Sequence, residues 1–350
     1  MCVQKNEAKG SLYKTALQIY LKEKKVKRIF CLMAMLFIIV FVISCKKESN
    51  EVLIYTSSED FRVEHIQKRL NEQFPQYSVI INYTTTGNLA AKLKAEGTKT
   101  DCDIIGEMDS AYMEGILDNL ADLSSYNSSV FLDELVPSHH KYLPFIKSAG
   151  CIIISEQFLK ERNLPIPESY QDLIKPIYKG VLSMPNPKSS GTGYFFLKNL
   201  VNVWGEDAAF AYFDKFADNV LQFTSSGSGP VNALIQGEAG IGLGMTMQVV
   251  TAINSRGVPL KILFFEEGSP YSVYGMGMIK GKETRKAVRD VFDFYVNTLT
   301  REDKELFAPE QIFKTQTNNI PNYPKNVKVA NMRGIESLSE KERLLGKWKY

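Results

Sequence analysis

The sequence predicts an α/β protein built as two lobes with a cleft between them. From Glu51 onward short apolar runs alternate with longer amphipathic ones, and the alternation starts afresh after Lys147. The chain has 350 residues, 44% of them hydrophobic and 23% charged, which suffices for one large or two medium domains, each with its own core.

In the first unit "EVLIYTS" (51–57) reads as a strand, "FRVEHIQKRLNEQF" (61–74) as an amphipathic helix and "YSVIINYTT" (77–85) as a second strand. "NLAAKLKAEG" (88–97) reads as a helix closed by Gly97, and "CDIIG" (102–106) as a third strand. Strands alternating with helices imply a largely parallel sheet covered on both faces, with ligands beyond the carboxyl ends of the strands. That singles out the loops "TSSED" (56–60), "TTTGN" (84–88) and "GEMDS" (106–110). Their candidate ligand residues are Ser57, Ser58, Thr86, Gly87 and Glu107. The hydroxyls can donate to a ligand or simply cap a turn; the acid can accept from hydroxyls or an amine, coordinate a metal, or sit solvated.

The second unit opens with "KSAGCIIISEQF" (147–158) and continues into "PNPKSSGTGYFFLKN" (185–199), a proline-bounded turn that runs into a helix. Such a turn presents backbone N–H groups and hydroxyls at the positive end of a helix, which makes it either an anion site or a cap. Ser190, Gly191 and Thr192 are its candidates. Helix "EDAAFAYFDKFADN" (206–219) follows, then a second serine and glycine loop holding Ser226 and Ser228, the helix "VNALIQGE" and the buried strand "AGIGLGM", after which comes Thr246. "PLKILFFEEGSPYSVYGMGMIKG" (259–281) reads as two strands around a turn at Gly268 to Pro270. It carries Tyr271 and Tyr274, of which Tyr274 is the candidate cleft wall, although aromatics on a strand are more often core. Helices at 283–299 and 337–350 close the chain.

Ahead of all this, the basic "KEKKVKR" (22–28) precedes the apolar "IFCLMAMLFIIVFVISC" (29–45), the pattern of a secretory signal. It is short for a membrane span, which needs about 20 apolar residues. A signal anchor that is never cleaved is the alternative, and the unusually long n-region leaves a start codon downstream of Met1 open. Net charge is only +3, too low for the broad basic face that nucleic-acid binding requires. Beyond Cys45 only Cys102 and Cys151 remain, each beside a β-branched run; a buried free thiol is the expected role and a disulfide the alternative.

Enzyme motifs are missing. "SSGTGY" lacks the lysine of a phosphate loop, "GMGMIKG" has the wrong glycine spacing for a dinucleotide site, and no histidine is suitably placed beside "SSGSG" for a hydrolase triad. His139 and His140 are adjacent and so point different ways; with His65 the only other histidine, they are expected in a surface loop.

Taken in order, "IYTSSE", "DIIGEMDSAYM", the long stretch from "AGCIIISEQF" through "PNPKSSGTGY", "ALIQGEAGIGLGM", "GVPLKILFFEEGSPYSVYGMGMIKG" and "EKERLLGKW" resemble the extracellular solute-binding proteins of ABC importers. Within them the chain is most similar to the branch holding ferric-ion, hexose-phosphate and phosphonate receptors. The resemblance implies the two-lobed periplasmic-binding-protein fold of type II, mixed sheets joined by hinge crossover strands. It implies a lobe 1 over 45–146, a lobe 2 over 147–267, a return to lobe 1 over 268–325 and a C-terminal helical segment over 326–350. Residues 1–44 would be a signal peptide, and "VISC" resembles a lipobox with Cys45 as the lipidated residue, so a lipid-anchored, extracytoplasmic monomer is expected. Its partners would be a permease, that permease's ATPase and a small anionic solute; no cofactor and no catalysis are expected. In the family the turn matching Ser189 to Thr192 grips an anion and the loop matching Ser225 to Ser228 faces it. Ferric relatives hold iron with two adjacent tyrosines where this chain has Met245, Thr246, Met247 and Gln248, which favours a ligand bringing its own phosphate or phosphonate. A ferric receptor with a helper anion is the alternative, and a secreted phosphate-ester hydrolase a more distant one.

Overall fold

The computed structural model describes residues 49–317 and 319–350; the expected signal peptide over 1–44 and the expected lipid site at Cys45 lie outside the described residues. The first lobe begins with β1 (Glu51–Thr56), α1 (Asp60–Gln73), β2 (Ser78–Tyr83), α2 (Thr86–Glu96), β3 (Ile104–Asp109) and the short α3 (Ser110–Glu114). β1 lies between β2 and β3 and runs parallel to both. Its alternation puts Val52 and Ile54 into the core against Ile66 and Leu70 of α1.

A 13-residue strand, β4 (Leu143–Ser155), then joins the halves. Behind it come α4 (Glu156–Glu161), α5 (Tyr170–Leu173), β5 (Leu182–Pro185), α6 (Gly191–Trp204), α7 (Glu206–Ala217), β6 (Val220–Thr224), α8 (Gly229–Ile235), β7 (Ile241–Met245), α9 (Thr246–Arg256) and β8 (Leu260–Leu263). β9 (Tyr271–Met278), α10 (Lys286–Phe294), α11 (Thr300–Leu306) and α12 (Leu338–Lys347) complete the order.

The strands follow the sequence β2-β1-β3-β9-β4-β7-β5-β6, with β8 also on β4. Residues 143–149 of β4 pair antiparallel with β9, which itself pairs with β3; residues 150–155 pair with β7 and β8. One strand therefore belongs to both sheets and changes sheet at Gly150. A Cβ on Gly150 would come within 2.5 Å of the Phe195 ring and 2.9 Å of Phe196, so only glycine lets α6 pack against the crossing. β8 and β9 do not form a hairpin with each other: the chain leaves the second sheet after Leu263 and enters the first at Tyr271. Each lobe keeps a parallel trio, β2-β1-β3 and β6-β5-β7, while the crossovers are antiparallel, so the sheets are mixed rather than largely parallel.

Four further points depart from the sequence-based expectations. "GEMDS" is not a loop: β3 runs to Asp109 with every residue buried, because β1 and β9 pair with it on both sides. The helix expected over 283–299 starts at Lys286 and continues through a π-turn at Tyr295–Leu299 into α11, where Thr300 donates its hydroxyl to the Tyr295 carbonyl at 2.8 Å. The segment 326–350 is helical only over α12. His139 is half-buried rather than loose: its Nδ1 accepts from the Lys141 amide at 3.0 Å, leaving Nε2–H to donate to Glu114 at 3.1 Å. Cys102 and Cys151 are buried free thiols in separate apolar clusters, and burial pushes both thiols up.

Candidate functional site

Where the carboxyl ends of the parallel strands meet, the structure holds a cleft of about 510 Å³. It brings together Ser57, Thr86 and Glu107 from lobe 1, Ser190, Gly191, Thr192, Ser226 and Ser228 from lobe 2, and Tyr274 from β9.

The lobe 2 wall is a wall of donors. Ser190 is the N-cap residue of α6 but makes no capping bond, so the first-turn amides face the cleft without a side-chain acceptor. The turn before it is held by Asn186, whose carbonyl accepts from the amides of Ser189 at 3.2 Å and Ser190 at 2.9 Å. Ser226 and Ser228 share a hydrogen bond of 3.0 Å beneath the mouth. Gln248, 7% exposed, donates to the Ser228 carbonyl at 3.2 Å while its Oε1 is buried without a partner.

The lobe 1 wall is acidic and is set by Arg62, a fully buried residue of α1. Its Nη1 donates to Glu107 at 2.7 Å and to Glu59 at 3.0 Å, and its Nε donates to Asp303 of α11 at 2.7 Å. Burial opposes the guanidinium charge, but Asp303, Glu107 and Glu59 outweigh it and hold its pKa high. Ser58 donates to Glu107 at 2.8 Å, and Ser57 donates its amide and hydroxyl to the Glu107 carbonyl at 3.0 and 3.2 Å. Glu107 and Glu59 thus border the cleft with Asp60 and Glu64, while Arg256 is the cation among the lining residues.

Burial, with Glu59 and Asp303 adding to it against the pull of Arg62, pushes the Glu107 carboxyl up to about 7. A carboxyl whose folded pKa is raised stabilises the fold below its unfolded pKa and loses that contribution as pH rises through the folded one. Urea midpoints measured from about pH 4.5 to 7 should therefore fall for the wild type relative to Glu107→Gln as pH rises. Parallel curves would show that Glu107 does not titrate in that window.

Not every expected residue reaches the cleft. Ser58 is fully buried behind the wall, bonded to Thr56 and Glu107. Gly87 sits at the lobe contact: a Cβ there would be 3.1 Å from the Lys188 carbonyl. Thr86 accepts the Asp109 amide at 3.0 Å and keeps its hydroxyl proton for the cleft. Thr246 faces a different cavity, of about 340 Å³, shared with Lys147, Tyr271 and Glu310. The chain turns from β7 into α9 there, so Met245 and Gln248 line the cleft while Thr246, the first residue of α9, points away. Glu59, Arg62 and Gln248 were not among the expected ligand residues. Glu59 left a signal in the singled-out "TSSED" loop and Gln248 in the stretch 245–248 that matches the iron-holding position of ferric relatives, whereas Arg62 left none.

Residues 104–306 match the family of bacterial extracellular solute-binding proteins. An uncharacterized protein of Haemophilus influenzae is 26% identical over 272 residues, 73% of this chain and 75% of that one. The periplasmic binding protein AfuA from Actinobacillus pleuropneumoniae, solved with fructose-6-phosphate bound, superposes with a TM-score of 0.75 at 22% identity, over 85% of this chain and 97% of that one. The periplasmic binding protein P5PA gives a TM-score of 0.73 at 22% identity, over 85% and 98%. The type II two-lobed fold and the family match, which spans 203 of the 350 residues (104 through 306), lead to one conclusion: this chain belongs to the bacterial extracellular solute-binding proteins, which act outside the cytoplasm.

Proposed function

We propose that the cleft captures a small organophosphate, a phosphate ester or phosphonate whose remaining part is rich in hydrogen-bond donors, and presents it to the permease of an ABC importer. The observation that carries this reading is the opposition of the two walls. Uncapped α6 amides and the hydroxyls of Ser190, Thr192, Ser226 and Ser228 suit an anionic head. Glu59 and Glu107 suit hydroxyl or ammonium donors on the body of the same molecule. A hexose phosphate has both ends, and the fructose-6-phosphate in AfuA supports that class. Ser57, Thr86 and Tyr274 would complete the contacts. The partner ATPase would supply the energy, the chain itself catalysing nothing. A lipid on Cys45 would hold it at the membrane as a monomer, which labelling with a palmitate analogue checks.

Calorimetry against glucose 6-phosphate, fructose 6-phosphate, an alkylphosphonate and ferric citrate tests the reading. At least one phosphorus compound should bind tightly, and Thr192→Val should weaken it about tenfold, the worth of one hydrogen bond to a charged group. Binding of iron alone, without any phosphorus compound, would overturn it in favour of a ferric receptor.

A further inference from the structure

Directly beneath the donor wall lies a buried ion pair that makes no contact with the cleft. Asp109, the last residue of β3, takes the Lys341 ammonium on Oδ1 at 2.6 Å, with the two side chains 0% and 1% exposed. Oδ1 also accepts from the Ala111 amide at 3.1 Å, and Oδ2 accepts the Ser272 hydroxyl at 2.9 Å. Oδ2 is close to the first turn of α6: a Cβ on Gly191 would be 3.5 Å from it. The ammonium lies 4.1 Å from the ring centroid of Tyr112 in lobe 1 and 4.6 Å from that of Tyr194 in α6. Burial lowers the Lys341 pKa, so the charge is kept there by Asp109 rather than by water.

The helix that delivers this lysine is fastened on the lobe 2 side. Glu340 accepts from the buried Lys198 of α6 at 2.8 Å, Arg343 pairs with Glu206 of α7 at 2.7 Å, and the Tyr350 carbonyl accepts from Asn186 in the α6 turn at 2.9 Å. On the lobe 1 side α12 meets Asp109 and packs Leu338 over Gly115.

We infer that Lys341 tunes the affinity of the cleft for anions: it neutralises a lobe 1 carboxylate held under the α6 N-terminus, where the anion of the ligand would sit. The inference rests on the reading that α6 grips that anion. A carboxylate left bare beside the α6 N-terminus would repel a phosphate held there and weaken its binding by roughly ten- to hundredfold. The helix dipole would be shared between the two anions as well. Lys341 therefore acts through Asp109, as a positioning and charge-balancing residue that never touches the ligand.

The test measures binding of inorganic phosphate and glucose 6-phosphate to the purified chain at about pH 8, where a phosphate monoester is a dianion. Lys341→Met should bind both about ten- to hundredfold more weakly, and the double variant Asp109→Asn/Lys341→Met should return to within about threefold of wild type. Asp109→Asn alone, in which the buried lysine loses the partner that holds its proton and both charges go together, should bind both within about threefold of wild type, and it keeps the idea testable if Lys341→Met does not fold. A merely structural role predicts instead that the double variant is no better than the single one; that result, or binding by Asp109→Asn weakened beyond that range, overturns the inference. A wild type that binds neither probe nor any other phosphorus compound would remove the phosphate reading and this inference with it, an outcome visible before any variant is made.

Discussion

Arg62→Met is expected to destabilise the folded chain by roughly 3–5 kcal/mol, the usual cost of removing one partner from a buried ionic cluster. Glu59, Glu107 and Asp303 all converge on that guanidinium, at 3.0, 2.7 and 2.7 Å, and methionine would leave three buried carboxylates without it. For a unit of about this size the melting temperature should fall by roughly 10 °C. Arg62 also lies against the Phe145 ring, 5.2 Å from its centroid, so lost packing is the competing explanation. The pH dependence separates the two. Uncompensated carboxylates take up protons more readily in the folded variant, so its deficit should shrink from about pH 8 to about pH 5. An equal deficit at both would mean that methionine's poorer packing, not charge, accounts for the loss. Because Arg62 sets the position of Glu107, the variant should also bind its ligand more weakly at temperatures where it is fully folded.

This cluster shows where sequence reasoning stops. The two lobes and the serine loops were legible because each rests on a local signal, apolar alternation for β1 and hydroxyls before α6, while the crossover strands were implied by the family resemblance. Arg62 carries no such signal. Inside "FRVEHIQKRL" it reads as one more charged position on an amphipathic helix, and only the return of α11 from 241 residues away turns that position inward against Asp303. Lys341 is hidden in the same way within "SLSEKERLLGKW", whose charged look predicts a solvated face. Glu107 was visible as an acid near a strand end but not as a buried one, since strand pairing on both sides of β3 is a tertiary fact. Thr246 misled for the opposite reason. It stands beside a family landmark, yet one residue of register at the β7 to α9 turn sends its side chain to the other cavity.

Gly191→Ala is expected to weaken ligand binding roughly 100-fold while barely moving the melting temperature of the empty protein. The added Cβ would lie 2.2 Å from the Tyr274 hydroxyl and 3.1 Å from its ring carbon Cζ, distances that require something to shift. Gly191 opens α6 in lobe 2, whereas Tyr274 lies on β9, paired with β3 of lobe 1, so the collision falls across the cleft and not within either core. The backbone at Gly191 is not left-handed, so alanine is acceptable to the helix itself. Tyr274 is 5% exposed and packed on its strand, which leaves the ring little room to swing aside. The relief available is separation of the lobes, and a ligand gripped from both walls must then offset that strain to close them. Tyr274→Phe removes the offending oxygen at the expense of a phenol that faces the cleft. If the clash is what matters, Gly191→Ala/Tyr274→Phe should bind at least about tenfold more tightly than Gly191→Ala alone, although each change by itself is harmful. Additive losses would instead mean that Gly191 serves only by exposing its amide to the anion. Small-angle scattering with saturating ligand gives an independent reading, because a wedge at this position should keep the variant more extended than the wild type at the same occupancy.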